Sequence, residues 1–445
     1  MKFKSIDELL NYTENIKGKT FKEIDSEGLL EGYTNLKRKK GLLGEVVETG
    51  FYKYPLNNNP QADFDEIGVE LKVTGYKRSK KGKISAKERV SLSMIDYNSI
   101  INEEFDFSKL LFKNKKILLI WYEYEKGKDV GDFLITDYQL YDMSRDEKII
   151  RHDFNMIRNK VREGKAHELS ESDTSYLGAC TKASKGTDRR SQPYSDIPAK
   201  PRAFSLKNSY MTGILRSMYS TTQTTISNKY KTVEEYIFRQ LKPYIGKSQL
   251  EIYEKIKGIK YEKENIPKNI SKKITDELIG KDEDLAKKDD LFTKTKFIIK
   301  NLPITPKNKA RERMSFRTLE LSEFEEDWEN SYWKNYFEET TILTILWKQP
   351  TYKSKNGERI LEGVKKINFN DNDFKSFEKT YNYVKKTIEK RDVNLLPTPN
   401  TFDNQYLVVA PKGQKGDDAY NNFFKNNKTK VAFMLTKELL NNKIS

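Results

Sequence analysis

Cysteine and histidine are almost missing from this chain of 445 residues. Cys180 is the single cysteine, and His152 and His167 are the two histidines. One cysteine excludes an intrachain disulfide framework and points to a reducing, cytoplasmic setting. So few histidines argue against a zinc site and against a histidine-centred catalytic triad. Apolar runs are short: none approaches the roughly 18 residues that cross a bilayer. The start, Met1-Lys2-Phe3-Lys4-Ser5-Ile6, lacks the apolar segment of a secretory signal. No membrane partner is expected. Low-complexity tracts long enough to form a disordered domain are absent too.

Charge is what the chain has in quantity. Lysine and arginine number 82 against 66 aspartates and glutamates, a net charge of +16, and charged residues make up 33%. The 36% of hydrophobic residues are patterned rather than diluted, which indicates a folded protein of two or three domains. The positive balance favours a polyanionic partner.

One stretch concentrates chemistry: Asp63-Phe64-Asp65-Glu66-Ile67-Gly68-Val69-Glu70-Leu71-Lys72-Val73-Thr74. From Ile67 it has the alternation of a strand, with Val69, Leu71 and Val73 on one face and Glu70, Lys72 and Thr74 on the other. Asp63 sits seven residues before Glu70, ahead of Gly68 and at the mouth of the strand, so a bend can bring its carboxylate back beside Glu70. Two carboxylates and a strand carbonyl suit Mg²⁺, a hard ion that keeps several waters. Lys72 can position or deprotonate an attacking water, or stabilise charge developing on a phosphate. That is a phosphodiester-cutting site in outline. A second Glu-x-Lys, Glu163-Gly164-Lys165, sits in a turn context and has no such upstream carboxylate.

Ser5-x-x-Glu8 resembles a capping box opening a first helix. A second helix follows the basic cluster Lys37–Lys40 and carries Leu43, Val46, Val47 and Phe51 inward. Its Glu45 and Glu48 are surface neighbours; either both are solvated, or Glu48 points at the metal site. Strands are expected at 89–97, 116–124 and 132–141, and an amphipathic helix carries Ile150, Phe154, Ile157 and Val161.

Thr174 to Ala179 should form a strand running into a basic loop, Cys180 to Arg190. Small residues there let a backbone approach closely. Lys182, Lys185, Arg189 and Arg190 supply phosphate contacts and donors for guanine, with Lys207 a further candidate beyond a connection punctuated by Pro193, Pro198 and Pro201. Tyr194 and Phe204 are expected in the core. Polar residues 219–231 form a linker between domains at 1–218 and 232–445.

The second half restates the first in order. Lys309 to Phe316 echoes Ser85 to Leu92, and Ile342 to Trp347 echoes Ile117 to Trp121. Gln405 to Asp418 aligns with Ser175 to Asp188 without a gap, and Ala432 to Leu435 answers Ala203 to Leu206. Lys412 and Lys415 therefore take the places of Lys182 and Lys185. Ile298 falls where Glu70 stands and Leu291 where Asp63 stands. The second copy should keep DNA binding and lack the metal.

As a set, Gly41-x-x-Gly44-x-x-x-Glu48, the Asp63…Glu70-x-Lys72 stretch, Lys113 and "TSYLGACTKAS…AFSLKNSYMTGIL" resemble the MutH mismatch-repair endonucleases, which nick at GATC. The duplication, and the stretch from Gly164 to Lys182, look like the Sau-type GATC-cutting type II restriction endonucleases. The resemblance implies an α/β fold, a restriction-endonuclease-like mixed sheet flanked by helices, duplicated as two MutH-like domains. It makes Asp63 and Glu70 metal ligands for Mg²⁺, Lys72 the lysine of the motif, Glu48 and Lys113 accessory members, and Lys182 a base reader. It further implies a double-stranded DNA substrate, a cognate DNA methyltransferase in the same system, and a dimer or two-site complex on DNA. Two departures stand out: Ala62 replaces the family's proline, and Cys180 an arginine. Glu338 or Glu339 answers Lys113 in the second copy. The alternatives are a partner-activated repair nickase and a DNA-binding protein without chemistry.

Overall fold

Alternating Val69, Glu70, Leu71 and Lys72 do form a strand, β1 (Val69–Arg78). Val69 and Leu71 pack into a core with Leu9, Phe21, Val46, Val47 and Phe64. Glu70 and Thr74, on the opposite face, are buried as well. The computed structural model describes residues 2–445 except 32–38, 56–60, 80, 183–186, 221–222, 261–265, 282–283, 286–288, 403–404 and 414–415. It divides into two compact units, Met1–Thr222 and Gln223–Ser445.

In the first unit β1 pairs antiparallel with β2 (Ile84–Ala86) and parallel with β4 (Lys116–Glu123). The antiparallel β5 (Leu134–Asp142) completes a mixed sheet in the order β2-β1-β4-β5. A second sheet joins β3 (Val90–Met94), β9 (Arg202–Leu206) and β6 (Leu177–Thr181) in the order β3-β9-β6. The helix Glu147–Arg162 buries Ile150, Phe154, Ile157 and Val161, the residues its periodicity assigns to the core. Its buried Asp153 accepts the backbone N–H groups of Ser175, Tyr176 and Leu177, which ties the start of β6 to the helix.

The second unit repeats this plan. Its β10 (Phe297–Ile304) runs parallel to β12 (Thr341–Lys348), with β13 (Ile360–Ile367) antiparallel beyond it. β11 (Met314–Glu320), β15 (Lys428–Leu435) and β14 (Leu407–Pro411) form the sheet β11-β15-β14. Glu70 lies opposite Ile117 in one unit, and Ile298 opposite Ile342 in the other. One extra residue then separates Ile342 from Trp347, so the tryptophans are out of step by one position.

Two connecting segments carry structure of their own, and one expectation needs correcting. Residues 225–229, within the stretch read as a linker, form a short helix, Thr225–Lys229, whose Ile226 and Ser227 N–H groups donate to Asp289. The proline-punctuated connection folds into a hairpin, β7 (Arg190–Gln192) and β8 (Ser195–Ala199). Tyr194 is not core: it sits at the hairpin tip, 74% exposed, at φ 61°. Phe204 is buried as expected.

Candidate active site

A short 3₁₀ turn, Asp65–Ile67, ends at Gly68, whose φ of 64° is left-handed. Glycine adopts that conformation without steric penalty. The turn lets Phe64 and Val69 exchange backbone hydrogen bonds, Phe64 N–H to Val69 O at 2.9 Å and Val69 N–H to Phe64 O at 3.2 Å. Asp63 is thereby folded back on β1. Leu71 N–H donates to Asp63 Oδ2 at 2.9 Å, and Asp63 N–H donates to Glu70 Oε2 at 3.3 Å. Each carboxylate is thus held by the backbone next to the other.

Glu70 is 2% exposed. The Lys72 ammonium donates to its Oε1, and Lys113 Nζ lies 3.6 Å from the same oxygen. Lys113 belongs to the helix Lys109–Asn114, capped at its start by Ser108. Asn114, the next residue, is buried and donates to Ser93 Oγ at 2.9 Å on β3, fixing the helix end that carries Lys113. In the sequence Asn114 shows only as an amide beside Lys113 at a helix terminus.

Glu48 lies in a π-helical turn, Val46–Phe51, that continues the helix Lys39–Glu45. Such turns add a residue to the helical repeat and re-aim side chains. Burial, then repulsion from Asp63, pushes the Glu48 carboxyl up to about 7, with Glu70 adding to the rise and Lys72 and Lys113 opposing it. Glu48 is half-buried, within the electrostatic reach of Asp63, Glu70, Lys72 and Lys113. The Glu70 carboxyl is also raised, by burial first, against the pull of Lys72.

Among the described residues no three His, Cys, Asp or Glu side chains stand close enough to hold a metal by themselves. The donor set nonetheless fits Mg²⁺. Asp63 and Glu70 offer hard oxygens side by side, and an ion that keeps several waters needs no third side chain. Burial and mutual repulsion raise the free energy of the charged carboxylates, which a divalent cation relieves.

The DNA-contact candidates fare unevenly. Lys182 is exposed just past β6, its N–H bonded to Pro201 O. Arg189 and Arg190 are exposed, Arg190 opening β7. Lys185 and Lys415 lie outside the described residues. Lys207 is a correction: it is 1% exposed and its ammonium donates to Thr174 O, so it ties the strand ends together and cannot reach a phosphate. The Lys412 ammonium donates to Phe316 O on β11.

At the second unit's equivalent position Ile298 faces its partner strand, Leu291 is buried, and the Lys300 ammonium donates to Ser315 O at 2.6 Å. Glu338 is paired with Lys334 at 3.3 Å, and Glu339 is buried.

The family model "DNA mismatch repair enzyme MutH" matches residues 52–153, the segment that holds Asp63, Glu70, Lys72 and Lys113. Fold and match together define a MutH-like nuclease. The chain is 34% identical over 409 residues, 86% of its length and 81% of the relative's, to the type II restriction enzyme Sau3AI of Staphylococcus aureus, and it belongs to that MutH-like restriction endonuclease family. DNA mismatch repair protein MutH of Vibrio campbellii is 24% identical over 221 residues, covering 49% of this chain and 96% of that protein. MutH of Shewanella amazonensis is 26% identical over 220 residues, with 48% and 96% covered.

Proposed function

We propose that this type II restriction endonuclease hydrolyses double-stranded DNA at GATC with Mg²⁺, using a catalytic domain at residues 1–218. Residues 232–445 form a homologous domain that binds a second site and does not cut. The observation that carries the proposal is the setting of Asp63 beside Glu70 by two backbone hydrogen bonds, Asp63 N–H to Glu70 Oε2 and Leu71 N–H to Asp63 Oδ2, with two lysines on one Glu70 oxygen. The isoleucine at Glu70's place in the second unit supports the division of labour.

Asp63 and Glu70 would hold the metal, whose chemistry is to polarise the phosphate and lower the pKa of bound water. Lys72 and Lys113 keep the buried carboxylates compatible with a polyanion approaching. Once Glu70 is otherwise engaged, the Lys72 ammonium is placed to hold the attacking water or to balance charge on phosphorus. Glu48 adds a third carboxylate at the rim of the same site. Lys182, Arg189 and Arg190 would contact DNA, surrounding lysines supplying salt-sensitive phosphate binding; Lys412 would do so in the second unit.

The restriction relative spans both units, whereas the mismatch-repair relatives cover about half the chain. That favours unaided double-strand cutting over a partner-activated nick. Among the described residues no helix is long and apolar enough to cross a membrane. The single cysteine supports a reducing, cytoplasmic setting. A dimer or two-site complex on DNA and a cognate methyltransferase complete the proposal. Plasmid incubated with Mg²⁺ or with EDTA, followed by sequencing of fragment ends, tests it. Cutting at GATC with Mg²⁺ alone is expected; nicks only, or cutting in EDTA, would contradict it.

A further inference from the structure

At the second unit's counterpart of the Asp63–Glu70 site the charge changes sign. In the alignment that puts Ile298 at Glu70's place, Lys300 falls on Lys72 and Lys296 on Gly68. Lys296 lacks the left-handed backbone of Gly68, so no such turn folds a carboxylate back onto β10. Thr341 N–H donates to Lys296 O at 2.9 Å, which extends the β10–β12 ladder by one residue. Strand alternation then puts Lys296, Ile298 and Lys300 on one face, the face that in β1 presents Glu70 and Lys72.

Rings, not carboxylates, hold the half-buried Lys296. Its Nζ lies 4.9 Å from the Tyr336 ring centroid and 6.0 Å from that of Tyr332, both on the helix Tyr332–Glu339. Ser331 caps that helix as Ser108 caps the helix of Lys113, and counted from the caps Tyr336 stands at Lys113's place. Tyr332 is 43% exposed, so the cluster reaches the surface. Among the described residues the Lys296 ammonium has no hydrogen-bond acceptor and no ion pair; Glu339 and Arg317 act on it from beyond ion-pair distance. Arg317 is itself paired with Glu323. An aromatic face attracts a cation through its quadrupole yet carries no net charge, so Lys296 is fixed in place with its charge uncancelled. Burial pushes its pKa below the ordinary lysine value, as happens to a cation short of counter-charge. The cluster continues to Lys412. Tyr336 packs edge-on against Phe316 at 5.9 Å, the Lys300 ammonium lies 5.6 Å from the Phe316 ring, and Phe316 O accepts from Lys412.

We propose that Lys296 contacts a backbone phosphate of the DNA held by the second unit, and that this site takes its phosphate without a divalent cation. This rests on the reading of residues 232–445 as a DNA-binding domain. In the first unit two carboxylates face the incoming phosphate, and a divalent ion bridges the like charges. In the second an ammonium already occupies the equivalent face. Lysine is a compact point charge that binds phosphate without a fixed direction. A phosphate on Lys296 supplies the counter-charge that the rings do not.

Short duplexes carrying the parent's cleavage site, read from fragment ends, are titrated into the full chain in EDTA and in Ca²⁺, following stoichiometry, affinity and salt slope. The parent should hold two duplexes per chain in Ca²⁺ and keep at least one in EDTA. Lys296→Met and Lys296→Gln should weaken the EDTA-resistant duplex roughly ten- to hundredfold. The loss should be equal in EDTA and in Ca²⁺, with a salt slope shallower by about one. Both should melt like the parent, and Lys296→Arg, which keeps the charge, should hold both duplexes. Parental binding by either neutral variant would overturn the inference. So would a loss in EDTA that Ca²⁺ restores, which would put a metal in the second unit. A parent that takes one duplex at saturation in Ca²⁺ would overturn the reading of the second unit as a DNA-binding domain, and the inference with it.

Discussion

Lys113 Nζ stands 3.6 Å from Glu70 Oε1, although the two residues come from a helix and a strand far apart in the chain. The parallel pairing of β1 with β4, which follows Lys113 directly, is what brings them together. Replacing Lys113 with alanine should leave Lys72 in place and lower the cleavage rate on the order of 10²-fold, as loss of one preorganised donor does. Binding of site-containing DNA in Ca²⁺ should change little. Single-turnover cleavage and gel shift measure the two effects; an unchanged rate would remove Lys113 from the site.

Gly68 sets the turn that returns Asp63 to Glu70, at a φ of 64°. Gly68→Ala should destabilise the protein by about 1–2 kcal/mol, the penalty for a side chain in the left-handed region. Cleavage should fall further than the stability loss explains, because the Asp63–Glu70 alignment depends on this bend. Thermal denaturation and cleavage at a temperature well below melting separate the two.

Lys207 offers the opposite pattern. Its ammonium is buried on Thr174 O, so Lys207→Ala should destabilise by about 2–4 kcal/mol, combining a cavity with a carbonyl left unpaired. The salt dependence of DNA binding should not change. A shallower salt slope with undiminished stability would return Lys207 to the list of phosphate contacts.

Lys412 decides what the second unit does. Lys412→Ala should weaken binding of a second site and slow cleavage of two-site DNA more than of one-site DNA. Were its bond to Phe316 O purely structural, the variant would melt at a lower temperature and cut both substrates like the parent.

The local parts of this architecture were legible in the sequence. Asp63, Glu70 and Lys72 are close in the chain and obey the period of a strand, so their convergence needed only one turn. The duplication was legible because aligned blocks keep their order, and strand registers in both units follow the alignment at Glu70 and Ile298. What escaped depended on partners far along the chain. The burial of Lys207 depends on Thr174, the helix within the linker on Asp289, and the exposure of Tyr194 on a hairpin held by Gln192, which accepts from Ala166 N–H at 2.7 Å. The π turn that aims Glu48 leaves no trace in hydrophobic spacing.

The most direct measurement pairs cleavage with binding for Glu70→Ala. With that one oxygen donor gone, Mg²⁺-dependent cutting of plasmid should fall below detection while duplex is still bound in Ca²⁺ as tightly as by the parent. Cutting at the parental rate would show that the chemistry happens somewhere else on the chain.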